Sequence, residues 1–102
     1  MTKRLFAVTR TRGPAWDAAQ PMEQQADWAG HAAFVTALFH EGFVRLVGPL
    51  EGTPDVLLIV RAADAQEIES RLAGDCWVAR DLLRIARIAP WTLRLGSLGD
   101  GG

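Results

Sequence analysis

Residues 43–60 read Phe43-Val44-Arg45-Leu46-Val47, Gly48-Pro49-Leu50, Glu51-Gly52-Thr53-Pro54-Asp55, Val56-Leu57-Leu58-Ile59-Val60. The first five alternate apolar and polar, as a strand does. Gly48-Pro49 breaks the run, and Glu51 to Asp55 is turn chemistry. The last five form an unbroken apolar run, the mark of a central strand covered on both faces. Two adjacent strands joined by a short turn therefore sit at the middle of the chain.

Working outward, Gly42 stands where a left-handed helix C-cap is expected. Before it, Trp28, Ala32, Val35, Leu38 and Phe39 are apolar at spacings of three and four, which predicts a helix from about Met22 to Glu41. Pro21 suits its first turn. Lys3 to Arg10 reads as the first strand, closed by Gly13-Pro14. On the other side, Asp64 and Glu67 form a capping box for a second helix over Ala65 to Ala73. Asp75 to Arg80 is a connecting turn or short helix. Leu83 to Leu95 is the last strand, bent near Pro90.

The order is βαββαβ, which predicts an α+β, ferredoxin-like fold with an antiparallel four-stranded sheet and two helices on one face. Residues 1–95 form one domain and 96–102 a glycine-rich flexible tail. A sheet with one bare face and an apolar central strand predicts a homodimer in which a second copy covers that face.

The 102 residues carry 11 basic and 12 acidic side chains, a net charge of -1. The basic residues are scattered, so no arm for nucleic acid is expected. No segment reaches the length needed to span a bilayer, and no signal peptide is read at the start. With Cys76 the lone cysteine, neither an intramolecular disulfide nor a zinc cluster is expected, and the setting predicted is cytoplasmic. No cofactor or metal is implied.

Two histidines are present. His31 falls on the apolar stripe of the first helix, where partial desolvation makes an ionised carboxylate partner valuable. A core histidine satisfied by any nearby acceptor is the competing reading. His40 lies on the opposite face and is expected in solvent, so a metal site joining the two is not expected. Asp75 reads as an N-cap for the turn that follows. Cys76 as a nucleophile is outweighed by its reading as a small buried hydrophobe. Trp16 and Trp77 are candidates for the walls of a pocket for a planar ligand. Trp28 and Trp91 are candidates for core or interface anchors.

Trp28-Ala-Gly-His31-Ala-Ala-Phe34, then Leu38, Glu41-Gly42-Phe43-Val44 and Gly48-Pro49-Leu50, resemble the first half of a YCII-related protein. Asp75-Cys76-Trp77, Leu82-Leu83 and Ile88-Ala89-Pro90-Trp91 resemble the second half, and Gly13-Pro14-Ala15-Trp16-Asp17 is similar to an entry loop in one branch of that family. The resemblance implies a dimeric α+β barrel related to small enzymes acting on aromatic or lactone substrates. It implies a site in which His31 pairs with Asp75. Where that family usually has proline after the aspartate, this chain has Cys76. The expected function is small-molecule chemistry by a His31–Asp75 proton-transfer dyad, isomerase- or lyase-like. Arg12, Trp16, Trp28, Phe34 and Trp77 are expected around the substrate. A non-catalytic ligand-binding or accessory dimer is the alternative.

Overall fold

The computed structural model describes residues 2–98. Strand β1 (Arg4–Arg12) is followed by a single 3₁₀ turn (Met22–Gln24), helix α1 (Trp28–His40), strands β2 (Val44–Pro49) and β3 (Asp55–Ala62), helix α2 (Ala65–Leu72), the short helix α3 (Cys76–Ala79) and strand β4 (Leu83–Pro90). The sheet order is β2-β3-β1-β4, antiparallel throughout, so the ferredoxin-like α+β fold is present. The two strands on either side of the residue 50–54 turn are neighbours, as their patterns require.

Alternation decides which side chains meet the helices. On β1 the helix-facing residues are Phe6, Val8 and Arg10, and their partners on β3 are Val60, Leu58 and Val56. These apolar side chains pack with Leu38 of α1 and with Ile68 and Leu72 of α2 to form the main core. A second, smaller core surrounds Trp77, with Leu82 and Leu83. The two cores meet where Arg10 ends the apolar row of β1.

Four expectations are corrected. The first helix begins at Trp28, not near Met22. Gln25 is 5% exposed, and its amide donates to the carbonyls of Asp17 (2.8 Å) and Gln20 (3.0 Å) and accepts from Asp17 N–H (3.0 Å). That amide folds the entry loop back on itself instead of letting the helix continue. Asp27 then adopts a left-handed conformation (φ 56°), which interrupts any helix crossing it. The buried line of α1 holds His31 and Leu38, whereas Phe39, expected on that line, is 52% exposed. Strand β2 runs on through Gly48-Pro49, and β4 stops at Pro90 instead of reaching Leu95. Both are edge strands, where a proline's missing N–H costs no ladder bond.

The face away from the helices is not entirely bare. Leu5 and Ile59 point to it, yet are 7% and 6% exposed within one chain. The segment after β4 returns across the sheet: Trp91 N–H donates to the Leu5 carbonyl (2.9 Å), and Arg45 on β2 donates to the Leu98 carbonyl (2.9 Å). Leu98 of the expected tail thus meets β2 through its carbonyl, and 99–102 lie outside the described residues.

Candidate functional site

Asp75 sits in the turn between α2 and α3. Its Oδ1 accepts the Trp77 backbone N–H at 3.0 Å, capping α3. The same carboxylate meets His31 Nδ1, at 2.8 Å from Oδ2 and 3.0 Å from Oδ1. The capping and dyad readings of Asp75 therefore hold together, because a carboxylate offers about four lone-pair sites. Arg10 fills another of them, its Nη1 donating to Oδ2 at 3.0 Å.

The electrostatics follow from burial. Asp75 and Arg10 are each 1% exposed. Burial pushes the Asp75 carboxyl up, but the hydrogen bonds from His31 and the Trp77 N–H, with the charges of His31 and Arg10, together hold it below its ordinary value. Burial likewise pulls the Arg10 guanidinium down, and Asp75 offsets part of that. An ionised carboxylate can only accept, so His31 Nδ1 carries a ring proton, and in the neutral form of the ring Nε2 is the nitrogen with the lone pair. Nε2 has no hydrogen-bond partner among the described residues.

The imidazole is also fixed in plane. Its ring stacks on Trp77 at 3.8 Å between centroids, with 4° between planes. Trp77 is fully buried, and its indole N–H donates to the Ala26 carbonyl at 2.7 Å. That bond ties the stacking partner to the loop that starts α1. Trp28 leans on both rings at 5.8 Å.

His31, Arg10, Trp28 and Trp77 line one cavity of about 340 Å³ between α1 and the strands β2 and β3. Met22, Val35, Val56 and Leu58 give it apolar walls. A mostly apolar cleft with a few convergent polar groups has the character of a small-molecule site. Among the described residues, no three His, Cys, Asp or Glu side chains are grouped to hold a metal ion, and no helix is long and apolar enough to cross a membrane.

Of the residues expected around the substrate, Trp28 and Trp77 reach this cavity and three do not. Phe34 is packed against the main core, its ring close to Gly74, where a Cβ would lie 3.1 Å from Cε1. One turn of α1 separates the core-facing Phe34 from the cavity-facing His31. Trp16 packs T-shaped on Trp77 at 5.5 Å between centroids, within the smaller core, and does not itself line the cavity. Arg12 lies over the Trp16 ring at 4.6 Å, a cation–π contact on the outside of the entry loop. Trp91, a candidate anchor, is 38% exposed.

Cys76 is half-buried beside the smaller core. Burial pushes its thiol up, and the neighbouring Asp27 carboxylate adds to this, so it lacks thiolate character. His40 is exposed at the end of α1, as expected.

Arg10 is the site residue that sequence reasoning missed. Its signal was present: it continues the Phe6, Val8 alternation, so the strand's own period carries a cation to the buried face. Gln25 offered no such signal, since the loop it gathers has no regular period.

The fold and this arrangement define a small ferredoxin-like domain with a buried Arg–Asp–His group beside an apolar cleft. A solved structure of the same architecture is the 5-chloro-2-hydroxyhydroquinone dehydrochlorinase TftG from Burkholderia phenoliruptrix AC1100, in complex with 2,5-dihydroxybenzoquinone. The two share a TM-score of 0.60 and 20% identity over 90% of this chain and 95% of that one, a likeness of fold. No family model and no curated protein matches the chain.

Asp75→Asn would leave the Arg10 charge buried and uncompensated, a loss of about 3–5 kcal/mol by the behaviour of broken buried pairs. The pH dependence has a definite sign. Folding holds the Asp75 carboxyl below its ordinary value, so its ionised form stabilises the fold fully above the unfolded carboxyl's pKa of about 3.9. That contribution is lost as pH falls through the lower folded value. Urea unfolding midpoints should therefore show a wide gap between wild type and Asp75→Asn at neutral pH, narrowing in acid.

Proposed function

We propose that the cavity binds a small aromatic or lactone-like molecule and that His31 exchanges a proton with it, in an isomerisation or elimination that needs no cofactor. The observation that carries this reading is the 2.8 Å contact of His31 Nδ1 with a buried, ionised Asp75, on a ring whose other nitrogen is unpartnered beside a cleft. Nε2 takes a proton from an acidic C–H or O–H of the bound molecule. Asp75 stabilises the imidazolium that forms, and stacking on Trp77 holds the ring in orientation. The proton then returns to a different atom in an isomerisation, or a leaving group departs with the electron pair in an elimination.

Two likenesses support the reaction class by analogy. TftG is named as a dehydrochlorinase, which removes the elements of HCl, and its complex holds a hydroxylated quinone. The resemblance to YCII-related proteins implies His31 and Asp75 as a working pair. Since fold alone does not carry function, the weight rests on the dyad geometry. The lone cysteine fits a cytoplasmic setting, which belongs to the same reading.

Substitution tests the role of His31. With hydroxylated aromatics and lactones in deuterated water, wild type should catalyse deuterium exchange or loss of a leaving group. His31→Ala should still fold, with a lowered melting temperature because the buried carboxylate loses one donor, and lose turnover by about 100-fold or more, the usual scale of a general base. Equal turnover in His31→Ala, or no exchange with any compound in wild type, contradicts the proposal.

A homodimer is part of the same reading. Leu46, Val47 and Leu50 are 53%, 45% and 41% exposed along the β2 edge and its exit, a run of large apolar side chains on a strand end open to pairing. A second copy burying it would make the particle about twice 11.1 kDa by sedimentation equilibrium. A monomer throughout the micromolar range would contradict it.

A further inference from the structure

Arg10 has more hydrogen-bonding capacity than the dyad uses. Its guanidinium is planar, permanently charged and carries five N–H donors. Nη1 is committed to Asp75, while Nε and Nη2 are buried and have no hydrogen-bond partner among the described residues. In a planar guanidinium the Nε–H and the outer Nη2–H point the same way, as the two tines of a side-on fork. That fork matches two oxygens lying in one plane. Buried donors left unpaired are costly, so such a pair calls for an occupant.

The position of the fork says what kind of occupant. Arg10 lines the same cavity as His31, and both side chains touch Asp75 Oδ2. Asp75 has one negative charge to balance against Arg10, and it already holds Nη1 and the imidazole. The fork therefore presents positive charge on the side away from Asp75. Trp28 and Trp77, with Val35 and Leu58, supply flat and apolar walls for the rest of a ligand.

We infer that the free edge of Arg10 is the anion-recognition element of this cavity, and that the molecule it takes is a planar anion presenting two acceptor oxygens along one edge. A benzoate-type carboxylate and the ionised hydroxy-carbonyl edge of a hydroxyquinone share that chemistry. The inference rests on the cavity being a ligand site, as proposed above, and narrows the class of substrate. It also gives Arg10 a second role. An anion seated on the fork would share the cavity with the imidazole, so negative charge that builds on its oxygens as His31 withdraws a proton would be met by a fixed cation.

Calorimetric titration tests this with three probes: benzoate, the anion of 2,5-dihydroxybenzoquinone, and benzamide as an uncharged shape match. Wild type should bind at least one anion about tenfold or more tighter than benzamide, and which anion it prefers separates the two sources. His31→Gln should keep that preference, because it leaves the fork intact. Arg10→Met should abolish it. Arg10→Lys, which keeps a charge against Asp75 but has no fork, should reduce it and serves in place of Arg10→Met if that variant does not fold. Benzamide binding as tightly as both anions, binding of neither anion, or an undiminished preference in Arg10→Lys would overturn the inference. Arg10-dependent anion binding without any proton exchange would leave this inference standing and remove the proposed reaction. Turnover confined to uncharged compounds would do the reverse.

Discussion

The carboxylate of Asp75 is the constraint on which the rest of this molecule depends. It accepts from the Trp77 backbone, from His31 and from Arg10, with its side chain removed from water. Those donors come from α3, α1 and β1, which are far apart in sequence, so one buried charge ties a helix start, a helix face and a central strand together. A charge in that position is tolerated only when it is fully partnered. The same requirement that makes the carboxylate stable also defines the imidazole tautomer. Structure and candidate chemistry are here two consequences of one ion.

Trp77 does for orientation what Asp75 does for protonation. Its backbone N–H binds the carboxylate, its indole face carries the imidazole, and its indole N–H reaches back to the loop before α1. Three contacts of one residue thus hold the His31 ring in a single plane. The smaller core around Trp77, with Trp16 packed T-shaped against it, buries that indole completely. The left-handed turn at Asp27 and Gly30 are part of the same arrangement, because a Cβ at Gly30 would lie 2.7 Å from the Asp27 carboxylate.

Much of the fold was legible in the sequence. Its βαββαβ order followed from the alternation in 43–47, the apolar run in 56–60 and the capping signals at Asp64 and Gly42. The pairing of His31 with Asp75, implied by the family resemblance, is also the pairing found. What escaped had physical reasons. The start of α1 was misplaced because a buried glutamine amide, not a local propensity, ends the preceding loop. Phe34, expected near a substrate from its place in the family motif, packs on the main core, and Trp16, expected as a pocket wall for a planar ligand, packs T-shaped on Trp77. Arg10 was passed over as one of many scattered arginines, although the parity of its strand pointed it inward.

The central claim is that Asp75 holds His31 as the tautomer protonated on Nδ1, leaving Nε2 free to take a proton. A long-range proton–nitrogen correlation spectrum of the ¹⁵N-labelled protein above neutral pH measures this directly. The account predicts that the His31 Nδ1 resonates as a protonated, pyrrole-type nitrogen and Nε2 as an unprotonated, pyridine-type one. A His31 protonated on Nε2 in place of Nδ1, or an averaged pattern that does not distinguish its two nitrogens, would contradict it.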